Sequence, residues 1–173
     1  MAKHEAVFSH IGLSVPDVQA AIKFYSEVFG WKHIAGPMKI EKGGRGSDFT
    51  DTLYGRNGKE WKSFLLVHMI TPDKVGIEMM QFEENHPAED DLDFNTNGIF
   101  HFGVETGDIK GLVEEVIAHG GEQVTDYHPM PCPDIMGHTV EYNAVFVKDP
   151  FGNIIEIYTY PYALQNKLPT KLG

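Results

Sequence analysis

Apolar and polar positions alternate along this chain with two different periods. Val18, Ala21, Ile22, Tyr25, Val28 and Phe29 recur every three or four residues, the spacing of a helix with one apolar face. Ile109, Leu112, Val113, Val116 and Ile117 do the same further on. Asp17 and Asp108 stand just before these runs, where a carboxylate accepts from the unpaired amides of a first helical turn. Gly30 and the pair Gly120, Gly121 follow them, as a left-handed helix end favours. Short runs rich in β-branched and aromatic residues predict strands at 8–15, 31–34, 63–69 and 76–82, and again at 99–106, 122–125, 142–147 and 153–158. Asp149, Pro150, Phe151 and Gly152 predict a tight turn between the last two.

The pattern is a repeat. His10, Gly12, Asp17 and Gly30 meet His101, Gly103, Asp108 and Gly121 when the chain is shifted by 91 residues without a gap. Each copy reads β-α-β-β-β. Module one spans about 6–82, a polar and acidic linker about 83–97, module two about 98–160 and a tail 161–173, together one domain over 1–173. Residues 36–60, rich in glycine and polar side chains, read as a long loop or irregular excursion within module one.

Composition narrows the functional classes. The chain has 173 residues, 42% hydrophobic and 23% charged, the balance of a folded domain with a real core. Its net charge of −11, with no short window dominated by Lys or Arg, argues against nucleic acid and anionic membrane as partners. No stretch approaches the roughly 18 apolar residues of a membrane span, and the amino terminus lacks the apolar core of a signal peptide. Cys132 is the single cysteine, so neither an intrachain disulfide nor a cysteine-cage zinc site is available, and a cytoplasmic setting is expected. Nine histidines and 25 carboxylates leave ample material for a nitrogen and oxygen metal site.

The repeat supplies one. It sets His10 and His101 on the first strand of each module and Glu78 and Glu156 on the last. Both glutamates interrupt apolar strands, where an ionised carboxylate is costly unless a cation or strong donors compensate. Two imidazoles and two carboxylates at equivalent places suit one divalent ion of the zinc, nickel, cobalt, manganese or iron kind.

The paired plan and these four residues resemble the vicinal oxygen chelate superfamily, which includes glyoxalase I, methylmalonyl-CoA epimerase, extradiol dioxygenases and bleomycin-resistance proteins. Supporting segments are His10 to Asp17, Phe24 and Tyr25 before Phe29 and Gly30, and Asp149 to Glu156. The resemblance covers about residues 6–160 and implies an α+β fold whose two βαβββ modules form a cupped, incomplete barrel around the metal. It implies one divalent ion per chain and a small oxygenated substrate handled through its enolate or enediolate, with Glu156 as the first candidate for the proton-transferring base and Glu78 as the second. It also points to a homodimer, as do the tyrosines and leucine of residues 158–164. Two positions depart from glyoxalase I: Ser14 stands where that enzyme has an arginine, and Phe82 where it has an asparagine, so the grip on a glutathione adduct is not expected. The alternatives are an Fe(II) dioxygenase using His10, His101 and Glu156, which a fourth ligand at Glu78 disfavours, and a non-catalytic drug- or ligand-binding protein.

Other candidates read as structure first. Residues 126–138 hold three prolines, His128, Cys132 and His138. A proline-stiffened loop at the mouth of the cup is expected there, ahead of a second metal site or a Cys132 nucleophile. His68 reads as a core histidine, Arg45 and Arg56 as possible contacts to an anionic substrate, and Glu141 and Tyr142 as the start of a strand beside the site.

Overall fold

The computed structural model describes residue 4 and residues 6–44, 47–54, 60–85, 98–133 and 139–159, with backbone alone at 49, 130–133 and 139–141. The chain divides into two compact units, Met1–Pro87 and Ala88–Gly173. Each carries one sheet with a helix packed on it, so the α+β class holds.

The first unit runs β1 (His10–Ser14), α1 (Val18–Phe29), β2 (Lys32–Glu41), α2 (Asp48–Tyr54), β3 (Ser63–Ile70) and β4 (Gly76–Phe82). Its sheet has the order β1-β4-β3-β2, with β1 parallel to β4 and the other pairs antiparallel. Helix α1 forms where the periodicity and both end signals agree. Asp17 accepts from the amides of Gln19 and Ala20 at 2.8 and 3.1 Å, and Gly30 closes the helix at φ 67°. The buried stripe of α1, Val18, Ala21, Phe24, Tyr25 and Val28, matches the buried strand residues Leu13, Val67, Met69, Ile77 and Met79. Alternation turns His10, Ser14, His68, Glu78 and Met80 to the opposite face.

The second unit repeats the plan with β5 (Phe102–Glu105), α3 (Ile109–Ala118), β6 (Glu122–Gln123), β7 (His128–Pro133), β8 (Thr139–Lys148) and β9 (Ile154–Tyr158). Strand β5 is parallel to β9, β8 is antiparallel to it, and β6 and β7 both pair with β8. Asp108 caps α3 by accepting from the Gly111 amide at 3.0 Å. Ile109, Val113 and Val116 of the helix and Val145, Val147, Ile155 and Ile157 of the sheet are buried. The turn into β9 is built on Asp149. Its buried carboxylate accepts from the amides of Phe151 and Asn153 and from the Asn153 side chain, while Gly152 takes φ 97°.

Two expectations need correction. Residues 36–60 are not a loop throughout. Strand β2 continues to Glu41, with register shifts on either side of Ala35, and α2 follows, its first turn tied by the buried Ser47, whose hydroxyl donates to Asp51 at 2.6 Å. Gly36 and Pro37 masked the strand signal, and seven residues are too few for helical periodicity to emerge. Nor is the proline-rich segment a loop over 128–133: it is strand β7, paired to β8 from His128↔Ala144 to Pro133↔Thr139. An extended chain turns successive amides to alternate edges, so Pro129, Pro131 and Pro133 direct their donor-free nitrogens to one edge. The other edge keeps its amides for β8. Among the described residues no helix is long and apolar enough to cross a membrane.

Candidate functional site

The two modules place their matched residues in the same register. Gly12 pairs with Glu78 across β1 and β4, and Gly103 pairs with Glu156 across β5 and β9. Each glutamate therefore lies beside a glycine, over which the Met80 side chain packs in unit one and the Tyr158 ring in unit two, and each has a histidine two residues ahead of that glycine. His10 begins β1, whereas His101 sits immediately before β5 rather than in it.

Within unit one, His10 Nε2 lies 3.7 Å from Glu78 Oε2. Within unit two, His101 Nε2 lies 3.0 Å from Glu156 Oε2. The second pair is the more enclosed: the Glu156 side chain is 13% exposed and that of Glu78 35%. Ile155 and Ile157 are fully buried on either side of Glu156 in sequence, and Phe146 is its cross-strand partner. His101 meets the Phe100 and Phe146 rings edge-on, each with centroids 5.2 Å away, and its buried Nδ1 has no hydrogen-bond partner among the described residues. An open hollow of about 460 Å³ adjoins this pair, lined by His101, Gly103, Glu105, Glu156 and Tyr158.

The donor set suits a divalent ion. Each pair offers an imidazole nitrogen and a carboxylate oxygen, the mixture borderline metals accept. Two such donors about 2.0–2.2 Å from a shared ion lie roughly 3.0–3.5 Å apart between right-angle and tetrahedral arrangements. The His101–Glu156 separation falls in that interval and the His10–Glu78 separation slightly beyond it. Among the described residues, His, Cys, Asp and Glu form no ready-made group of three or more for an ion. The candidates come as pairs, one to a unit.

The family model for the glyoxalase/bleomycin resistance protein/dioxygenase superfamily matches residues 7–157. The chain belongs to that superfamily. No curated protein sequence matches it. Among solved structures of the superfamily, it is similar to a glyoxalase family protein from Bacillus cereus, at 19% identity over 92% of this chain and 97% of that one, with a TM-score of 0.67. It is also similar to a trypanothione-dependent glyoxalase I from Leishmania major, at 20% identity over 90% and 87% of the two chains, with a TM-score of 0.54. A third is the fosfomycin resistance protein FosX from Listeria monocytogenes complexed with Mn(II) and sulfate, at 12% identity over 93% and 98%, with a TM-score of 0.56. At these identities the likeness is one of superfamily fold.

The structure revises some neighbours of the site. Ser14 is exposed on the Glu78 face, opposite Met80, and Phe82 packs its ring at 5.0 and 5.1 Å from Phe64 and Tyr54. His68 is not a core histidine: its Nε2 faces Glu78 Oε1 at 3.4 Å. Its strand alternates Val67 and Met69 inward, which turns His68 to the Glu78 face, and the register of the β3–β4 hairpin brings the two opposite one another. Tyr54 was also missed. Burial, and then the negative charge of Glu78, hold its phenol above the ordinary range. Tyr142 is buried, with its ring 6.1 Å from that of Tyr158. Arg45, Arg56, His138, the linker from 86 to 97 and the tail 161–173 lie outside the described residues, as do the side chains of Cys132 and Glu141.

Proposed function

We propose that this chain is a metal-dependent, glyoxalase-like isomerase or lyase that moves a proton at a carbon next to a carbonyl in a small oxygenated substrate. The observation that carries this reading is the duplicated His–Glu pair beside a glycine, Gly12↔Glu78 in one unit and Gly103↔Glu156 in the other. His10, Glu78, His101 and Glu156 are the residues that would hold a divalent ion. When bound, such an ion supplies Lewis-acid chemistry, drawing negative charge onto the substrate's oxygens.

The base is Glu156. Its carboxylate borders the open hollow lined by His101, Gly103, Glu105 and Tyr158, where a small substrate could reach it, and Phe146 is its cross-strand partner. In the proposed step a C–H bond breaks, the proton goes to a Glu156 oxygen and the electron pair moves toward the adjacent carbonyl. Where the deprotonated carbon carries a hydroxyl, return of that proton to the neighbouring carbon, with the hydroxyl proton passing to the former carbonyl oxygen and the electron pair closing the new carbonyl, completes an isomerisation. Glu78 is the second candidate for the same task. Because Ser14 and Phe82 present no charge, the substrate is not a glutathione adduct gripped by its carboxylates. Losing such buried charge-assisted contacts costs about 2–5 kcal/mol. We place the enzyme in the cytoplasm as a homodimer, with residues 158–164 between subunits.

Metal analysis tests the first part. Protein purified without added metal should carry about one divalent ion per chain, and His101→Ala should lose most of it; equal content in both would overturn the assignment. Turnover of the methylglyoxal–glutathione adduct should be poor, and efficient turnover at micromolar substrate would refute the substrate argument. Sedimentation should give a dimer at tens of micromolar, weakened when the chain is cut after Tyr158.

A further inference from the structure

Glu78 has two imidazoles against it. His10 Nε2 faces Oε2 at 3.7 Å, and His68 Nε2 faces Oε1 at 3.4 Å, so each carboxylate oxygen has its own histidine. His68 comes from β3, where the register pairs it with Glu78, and its side chain is 31% exposed. At the matched register of unit two, the cross-strand partner of Glu156 is Phe146. Two backbones of the same plan thus hold their glutamates in unlike company. A carboxylate that binds an ion through one oxygen is commonly fixed by an outer partner on the other. His68 stands in that place for Glu78, and a phenylalanine ring offers Glu156 no polar atom.

We propose that His68 is a positioning residue for Glu78, occupying Oε1 so that Oε2 remains turned to His10 and available to a divalent ion. The inference rests on the reading of His10 and Glu78 as ion-binding residues and deepens it. It separates the two glutamates: Glu78 has an imidazole facing each oxygen and serves as a ligand, while Glu156 has one, His101, and borders the open hollow.

Co(II) titration of the full chain tests this, with affinity, the visible spectrum at saturation and the thermal melt as readouts. The variants are His68→Phe, which installs the residue of unit two, His68→Gln, which keeps an N–H group, and His101→Ala. Affinity should fall about 10–100-fold in His68→Phe and largely recover in His68→Gln, with the saturated spectrum unchanged in both. Wild-type affinity in His68→Phe overturns the proposal. So does a changed spectrum at saturation, which would make His68 a ligand. If His68→Phe does not fold, His68→Leu against His68→Gln makes the same comparison. His101→Ala keeps the two readings apart. Undiminished binding there, alongside weakened His68→Phe, defeats the four-residue site and leaves the His68 role standing. Loss there with an unaffected His68→Phe defeats only the positioning role. A wild-type chain that binds no Co(II) defeats both.

Discussion

Tyr54 shows how one side chain links the packing of α2 to the site. Its hydroxyl donates to Met80 Sδ at 3.1 Å, and its ring packs edge-on against Trp61, Phe64 and Phe82. Burial and the Glu78 charge both favour the neutral phenol. The folded state therefore holds this proton to higher pH than the unfolded chain, whose phenol titrates near 10. The stabilisation is fully present below about pH 10 and is lost as pH rises from there through the raised folded value. Denaturant melts across this window should show a decline that is shallower in Tyr54→Phe. Asp149 is a second residue with a measurable role. Three donors converge on its buried carboxylate, so Asp149→Ala leaves the two amides that open the β8–β9 turn unpaired. The expected loss is about 2–3 kcal/mol in urea unfolding, in line with hydrogen bonds to charged groups.

At the scale of elements, the strand partners decide what a position tolerates. Gly36 lies in β2 at φ 90°, and a Cβ there would collide with the backbone carbonyl of Leu66 on β3. Gly36→Ala should cost roughly 1–3 kcal/mol and be visible as a lowered melting temperature. Gly30, at φ 67° with open space around it, should show conformational strain alone on the same change. These contrasts also explain which elements were readable. Helix α1 was legible to its ends because an aspartate cap and a terminal glycine directly flank the twelve residues that carry the apolar spacing. The far half of β2 was not, because Gly36 and Pro37 interrupt the alternation, and β7 was not, because its prolines argue for a loop unless the pairing on β8 is known. The repeat singles out His10, Glu78, His101 and Glu156 in the sequence, whereas their pairing within each unit comes from the β1–β4 and β5–β9 registers. The part played by His68 does not, since it depends on where the β3–β4 hairpin turns, which residue types alone do not fix.

For the whole molecule, charge is the first consideration. A net charge of −11 attracts cations to the surface over a distance set by ionic strength, about 30 Å at 0.01 M and about 8 Å at 0.15 M. If His10, Glu78, His101 and Glu156 bind a divalent ion, its apparent affinity should fall several-fold between 10 and 500 mM potassium chloride, as Co(II) titration would record. A flat response would mean that only the immediate donors matter. Sheet edges are the second consideration. Among the described residues, β7 pairs with β8 alone and so borders its sheet. A free border of backbone donors is an invitation for a strand from another chain to add on, the first step toward fibrous aggregates. With Pro129, Pro131 and Pro133 facing outward, that border offers no amide hydrogens for an incoming strand. The prolines that disguise β7 in the sequence act in the folded chain as a barrier to polymerisation.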